Sequence, residues 1–148
     1  MNQESTGNYY TISHLALASG LSDRTLRTYI STGILQGEKI NGLWHFTPEQ
    51  TEEFFNHPAV RPSILAKKNA LIYDFLGTRK KAEESCIILD YPDGNQKSTM
   101  EFFCHEITNG NFTNINFSFD HHKKQSRIIL KGYTQDVLEL VNKYYNKK

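Results

Sequence analysis

The chain has 148 residues, of which 38% are apolar and 12% aromatic, which suits one domain or two small ones and excludes a wholly disordered protein. No apolar run is long enough to span a membrane, and residues 1–10 lack the basic and apolar parts of a secretory signal. The net charge of +1 neither favours nor excludes nucleic acid, and two widely separated cysteines favour free thiols, so we expect a cytoplasmic protein without membrane contact.

Two short helices separated by a tight turn are predicted in the first quarter of the chain. Thr11 is a suitable N-cap, apolar residues follow it at helical spacing, and Gly20 ends the first helix. Ser22 caps a second helix over residues 23–32, which stops at Gly33. The break of about three residues between the two helices is typical of a helix-turn-helix.

The second helix has an apolar face and a polar face. Its polar face consists of Arg24, Arg27, Thr28 and Ser31, with Thr25 at the border. Two arginines near a helix N-terminus present guanidinium groups that suit guanine edges, and the helix end suits a phosphate. The alternative is a solvated face on which Asp23 pairs with Arg27.

A hairpin and a third helix follow. The dipeptide Asn41-Gly42 between two short strands is a strong signal for a type I′ turn. Thr47, Pro48 and Gln50 then supply an N-cap, a first-turn proline and a capping box. The predicted order of helix, turn, helix, hairpin and helix is that of a winged helix-turn-helix domain over residues 9–60.

A connecting helix is predicted over residues 63–82. Two prolines, Pro58 and Pro62, mark the boundary before it, Ser63 can cap it, and Gly77 is a candidate for an early end. Its broad apolar stripe suits either dimerisation or packing against the C-terminal part of the chain.

Residues 86–148 predict a small α+β domain with the order strand, helix, hairpin, helix. The first strand covers residues 86–91, and residues 98–108 fit either a helix capped by Ser98 or an alternating strand. The whole chain is therefore assigned to the α+β class.

The predicted hairpin of this domain has strands over residues 112–119 and 127–132, with a turn at about residues 120–124. A final helix begins at Thr134. The side chains that its spacing predicts to be buried are Val137, Leu138, Val141 and Tyr145.

Two short histidine-containing pairs, Cys104-His105 and His121-His122, invite comparison with metal sites. Their spacing matches no zinc pattern, and the chain contains no nucleophile elbow, phosphate loop or H-E-x-x-H motif. We therefore expect no catalytic residue, no metal ligand and no cofactor, and do not expect an enzyme.

A specific motif spans residues 9–56. Its parts are Tyr10-Thr11-Ile12, Leu15-Ala16, Gly20-Leu21-Ser22, Arg24-Thr25-Leu26-Arg27, Tyr29, Gly33-Ile34-Leu35 and Asn41-Gly42. The motif resembles the winged domain of the MerR family of bacterial transcriptional regulators, a domain that excisionase-type proteins and some phage-encoded adaptors share.

The resemblance implies a transcriptional regulator that binds double-stranded DNA, as a homodimer, through its second helix and its wing. The residues placed on the DNA are Thr11, Ser22, Arg24, Thr25, Arg27, Thr28, Tyr29, Lys39, Asn41, Gly42, Trp44 and His45. The domain at residues 86–148 would dimerise, sense a small-molecule effector or bind a protein partner. The alternative is a protein-interaction adaptor, or an excisionase-like accessory factor of a phage or mobile element.

Two features weigh against strong DNA binding. Residues 1–60 carry three basic and six acidic side chains, whereas DNA-binding domains usually have a basic excess. Trp44 stands where the family has a wing arginine, which leaves Lys39 and His45 as wing charges. We expect weaker or more salt-sensitive binding than is usual in the family, or a partner other than DNA.

Overall fold

The computed structural model describes residues 9–92, 96–109, 112 and 114–146, with only the backbone at residues 96–97. These residues form a mixed α+β structure with six helices and two small antiparallel sheets. The helices are α1 (Ile12–Ser19), α2 (Asp23–Ser31), α3 (Pro48–Phe55), α4 (Arg61–Gly77), α5 (Gln96–Thr108) and α6 (Thr134–Asn146). The strands are β1 (Glu38–Ile40), β2 (Leu43–His45), β3 (Glu84–Tyr91), β4 (Asn116–His122) and β5 (Gln125–Tyr133). No helix within the described ranges is both long and apolar enough to cross a membrane.

The ends of α1 are set by the two residues predicted to cap it. The Thr11 hydroxyl accepts a hydrogen bond from the His14 backbone N–H at 3.3 Å, and the His14 ring nitrogen Nδ1 accepts one from the Thr11 N–H at 3.1 Å. Gly20 follows the helix with a φ of 80°, a left-handed conformation that glycine adopts without strain. Both predicted ends of this helix are confirmed.

The hairpin and α3 occur where the turn and cap signals predicted them. Asn41 and Gly42 have φ values of 53° and 83°, as a type I′ turn requires, and β1 pairs with β2. Thr47 and Gln50 form the reciprocal capping box at the start of α3, with hydrogen bonds of 2.9 Å and 3.0 Å. The turn and the cap signals in the sequence therefore correctly predicted where these elements begin.

The second sheet has three strands in the order β3-β5-β4, and one of its faces lies in the main hydrophobic core. Phe117 and Phe119 of β4 and Ile128 and Leu130 of β5 contribute to that core. Helix α1 packs against β4 and α5, and α6 packs against β3 and β5. One hydrophobic cluster thus contains residues from both the N-terminal and the C-terminal parts of the chain.

The opposite face of this sheet carries a row of charged residues. Asp90, Arg127 and Asp120 lie directly opposite one another on β3, β5 and β4, so their side chains share one face. Helix α4 supplies Arg61 and Lys68, both of which contact the Asp120 carboxylate. The sheet is therefore joined to α4 through ion pairs on one face and to the apolar core on the other.

Helix α4 differs from the predicted helix at both ends. It begins at Arg61, two residues before the predicted start, and no side chain caps it, so the predicted cap by Ser63 is wrong. Pro62 is accommodated because it lies in the first turn, where no backbone hydrogen bond is lost. The helix ends at Gly77, the early end that the sequence offered as an alternative to residue 82. The Lys80 ammonium donates hydrogen bonds to the carbonyl oxygens of Phe75, in the last turn, and of Thr78, the residue after the helix.

In the C-terminal part, the alternative of a strand over residues 98–108 is wrong. Helix α5 begins at Gln96, and Ser98 therefore lies inside it and does not cap it. The buried residues of α5 recur at helical spacing, and they are Met100, Phe103, Cys104 and Ile107. Their burial in the core decides in favour of the helical spacing over the alternation of a strand. The sequence also predicts that Pro92-Asp93-Gly94-Asn95 stops the preceding strand and that Asn109-Gly110 ends this helix, but residues 93–95 and 110 lie outside the described residues.

Strand and helix limits near the C-terminus are shifted from the prediction. Strand β4 covers Asn116–His122, not residues 112–119, and the turn is narrowed to Lys123 and Lys124, with φ values of 53° and 65°. In α6, Val137 is buried as predicted, but Leu138 and Tyr145 are exposed, with 48% and 57% of their surface accessible. Relative to the predicted orientation, the helix is turned about its own axis. Leu140, Val141 and Tyr144 therefore join Val137 on the side that faces the core.

Candidate nucleic-acid interface

The polar face of α2 carries two exposed arginines in different states. The Arg24 guanidinium group has no hydrogen-bond or ion-pair partner among the described residues. The Arg27 Nε atom donates to Asp23 Oδ2 at 2.9 Å, and both side chains are more than half exposed. The i,i+4 pair that was the alternative interpretation of Arg27 is therefore present, and such an exposed pair contributes little to stability.

The hydroxyl groups predicted to face a partner are used within α2 itself. Ser22 Oγ accepts the Thr25 backbone N–H at 3.0 Å and donates to Thr25 Oγ1 at 2.9 Å. The Thr28 hydroxyl donates to the Arg24 carbonyl oxygen at 3.1 Å. These side chains organise the helix, and a partner molecule would have to share or break their hydrogen bonds.

Tyr29 and Trp44 are positioned mainly by aromatic packing. The Tyr29 ring meets the buried Phe54 ring edge-on, with centroids 5.5 Å apart. Trp44 lies nearly parallel to Phe46, with centroids 6.4 Å apart, and remains half-buried. Both rings join the polar surface to the core, as aromatic residues with a polar tip commonly do.

The charges available to the hairpin lie on its two different faces. Lys39 is paired with Trp44 across the strands, and its ammonium lies 5.8 Å from the Trp44 ring centroid. His45 is paired with Glu38 on the other face, next to the Tyr9 ring, and its Nδ1 is buried without a partner in the described part of the chain. Lys39 and His45 therefore do not form one continuous positive surface.

A cleft of about 160 Å³ lies between the start of α1, α2 and the hairpin turn. The cleft brings together four of the predicted residues, namely Thr11, Arg27, Gly42 and Trp44. The other eight predicted residues do not line it. Sequence reasoning missed the remaining wall residues Ile12, Ser13, Asp23 and Leu43, although their position beside a predicted cap or turn was a signal.

The two pairs that invited a metal interpretation are placed apart from any ligand set. No group of three or more His, Cys, Asp and Glu side chains in the described ranges is placed to hold a metal ion. Burial raises the pKa of the Cys104 thiol. His121 contacts the Ser126 hydroxyl at 2.9 Å, whereas His122 contacts Asn56 at 2.6 Å.

Comparison with known proteins gives no matching family model, no matching curated protein and no matching solved structure. The resemblance of residues 9–56 to the MerR family is therefore a resemblance of sequence motif alone.

Proposed function

We propose that this protein is a MerR-like, sequence-specific DNA-binding transcriptional regulator that acts as a homodimer. The observation that carries the proposal is the placement of Arg24 and Arg27 on one exposed face of α2, next to a cleft that also reaches α1 and the hairpin. This arrangement supports a DNA contact in which α2 enters the major groove and the hairpin lies along the backbone.

Arg24, which lies outside the cleft, and the residues that line the cleft have different chemical roles in this proposal. Arg24 has all its guanidinium donors free of partners within the described residues and suits a base edge. Ile12 and Ser13 belong to the first turn of α1, whose backbone N–H groups have no partner within the helix, and both residues line the cleft. A phosphate in the cleft would accept hydrogen bonds from this turn and from Arg27.

The homodimer is proposed to form through α4. This helix exposes two large apolar side chains, Tyr73 and Leu76, with 69% and 71% of their surface accessible. A second copy of the helix would cover them, and the two α2 helices would then bind neighbouring half-sites.

The proposal is tested by DNA binding at low salt. Fluorescence anisotropy with labelled fragments from the region upstream of the protein's own gene should detect wild-type binding. Arg24→Ala should weaken it by about 1–3 kcal/mol. Arg79→Ala removes an equally charged, exposed arginine far along the sequence from α2 and should leave affinity unchanged. No binding by the wild type to these fragments would contradict the proposal.

The alternative, a protein-interaction adaptor or an accessory factor of a phage or mobile element, is favoured by the acidic excess of residues 1–60 and by the pairing of Arg27 with Asp23. Affinity capture of a protein partner that survives the double substitution of Arg24 and Arg27 by alanine would support this alternative.

A further inference from the structure

A second cavity, of about 400 Å³, lies between α4 and the charged face of the three-stranded sheet. Its volume falls in the range of roughly 300–1,000 Å³ that is usual for small-molecule sites. It is lined by polar and charged groups from α4, β3, β4 and β5 and the turn between β4 and β5. It is remote in sequence from the residues proposed to contact DNA.

The wall of this cavity has an excess of positive charge. Four lining side chains are basic and two are carboxylates, which gives a formal net charge of +2 without the histidine; they are Arg61, Lys68, Lys123 and Arg127 against Asp90 and Asp120. Two of these cations, Arg61 and Lys68, share the single carboxylate of Asp120. Lys68 Nζ lies 2.8 Å from Asp120 Oδ2, and the Lys68 side chain is only 6% exposed. Arg61 and Lys68 together carry one more positive charge than Asp120 balances, so the site favours an incoming anion.

The hydrogen bonds already present in the cavity determine which donor groups remain for an anion. Arg61 binds both oxygens of Asp120, at 2.7 Å and 3.1 Å, and Arg127 binds both oxygens of Asp90, at 2.6 Å and 2.9 Å. Both guanidinium forks, which could otherwise bind a carboxylate or a phosphate in bidentate fashion, are therefore already occupied, and the ammonium groups remain for an incoming anion. Lys68 uses one of its three donors on Asp120, and Lys123 has no partner in the described part of the chain. Lysine ammonium groups bind phosphate as point charges.

We propose that this cavity binds the phosphate group of a small phosphorylated molecule, with Lys68 and Lys123 as its ligands. A phosphate monoester carries close to two negative charges at neutral pH on one compact group, which matches the excess of the wall. The cavity extends beyond these cations to Leu65, Pro92 and Gln125, which would contact the rest of the ligand.

The site also has a direct connection to the N-terminal part of the chain. Arg61 Nη1 lies 3.4 Å from the Phe55 carbonyl oxygen at the end of α3, and His122 contacts Asn56, the residue after that helix. An anion that repositions Arg61 or His122 would thus change the contact between α3 and the sheet. A role of this ligand as the effector of DNA binding rests on the proposed function, whereas ligand binding itself does not.

The experiment measures anion binding to the full chain without DNA. Inorganic phosphate and glycerol 3-phosphate are titrated at constant ionic strength, with sodium chloride and glycerol as references, and binding is followed by calorimetry and by amide chemical shifts. Saturable binding of the two phosphates but not of the references is expected, with shifts at the β4–β5 turn and α4. Tighter binding of the ester indicates contact with the organic part, and equal binding indicates that the phosphate group alone is recognised.

Two substitutions at the turn make the test specific. Lys123 and Lys124 both have positive φ values, which asparagine adopts readily, so either can be replaced without backbone strain. Lys123→Asn should weaken phosphate binding at least several-fold, and Lys124→Asn, which does not line the cavity, should leave it unchanged. Lys68→Met should abolish it. The proposal is overturned if the wild type shows no saturable phosphate binding, or if both asparagine variants bind equally.

Discussion

The side chains of Asn56 and His122 face each other across the junction between α3 and the sheet, with Asn56 Oδ1 2.6 Å from His122 Nδ1. The Asn56 amide group also donates to the carbonyl oxygens of Glu52, at 2.9 Å, and of His121, at 3.0 Å. One side chain therefore closes the last turn of α3 and fixes the end of β4 against it. Because the two elements are 66 positions apart in the sequence, this contact is a tertiary restraint on the N-terminal helices.

Replacing Asn56 by alanine removes all three hydrogen bonds, of which the one to the His121 carbonyl oxygen is partly buried. We expect the free energy of unfolding to fall by about 1–3 kcal/mol, measured by urea denaturation. Asn142→Ala, at an exposed position of α6, is the matched control and should change it by less than about 0.5 kcal/mol. Equal effects of the two substitutions would contradict a stabilising role of the Asn56 contacts between α3 and the sheet.

Asp120 and Asp90 lie in the same row of the sheet but should differ in their contribution to stability. Asp120→Asn leaves the buried Lys68 and the largely buried Arg61 without a counter-charge, so we expect a loss of about 3–5 kcal/mol. Asp90→Asn breaks a pair in which both side chains are about half exposed, and solvent screening limits the loss to about 1 kcal/mol or less. Denaturation of both variants in the same buffer measures the difference.

The stability of the fold should depend on acid pH through Asp120. Burial alone would raise the pKa of this carboxyl group, but hydrogen bonds from Arg61 and Lys68 and their positive charges lower it from 3.8 to about 2. A lowered pKa in the folded state stabilises the protein above the unfolded-state pKa, and this contribution is lost as the pH falls from about 4 to about 2. The expected loss is about 2–3 kcal/mol, seen as a pH dependence that the Asp120→Asn variant lacks.

Thr51 offers a stabilising substitution. Its side chain is fully buried in α3, and its hydroxyl oxygen has no hydrogen-bond partner among the described residues. Valine has the same shape without the unpaired polar atom, so Thr51→Val should raise the free energy of unfolding by about 1 kcal/mol. Thr25→Val is the control, because the Thr25 hydroxyl accepts a hydrogen bond from Ser22, and it should give no gain. Thermal denaturation that shows no increase for Thr51→Val would contradict this account.

The proposed dimer can be disrupted on α4. Leu76→Glu places a charge on the most exposed apolar side chain of that helix, and we expect light scattering to show conversion of the dimer to a monomer with the circular dichroism spectrum unchanged. Leu138→Glu makes the same change at an exposed leucine of α6 and should leave the mass unchanged. A wild-type protein that is monomeric at all concentrations would contradict the proposed assembly.

Elements governed by short-range chemistry were predictable from the sequence. The caps at Thr11 and Thr47, the left-handed glycine at Gly20 and the Asn41-Gly42 turn each depend on hydrogen bonds or backbone conformations within a few residues. The α+β class followed from the same patterns. The two arginines of α2 could be named as exposed for the same reason, since helical periodicity alone separates them from Leu26.

The tertiary structure decided what depends on contacts between distant residues. The apolar residues between Met100 and Ile107 fit the alternation of a strand as well as the spacing of a helix. Only their burial in the core selected the helix. Asp120 showed no sign of its partners, because Arg61 and Lys68 lie 59 and 52 positions away and come together only when α4 packs over the strands. The sequence by itself thus determined the local elements and the surface of α2. The packing of α4 on the sheet determined the charged cavity, because burial and charge pairing are properties of residues that meet only in the folded chain.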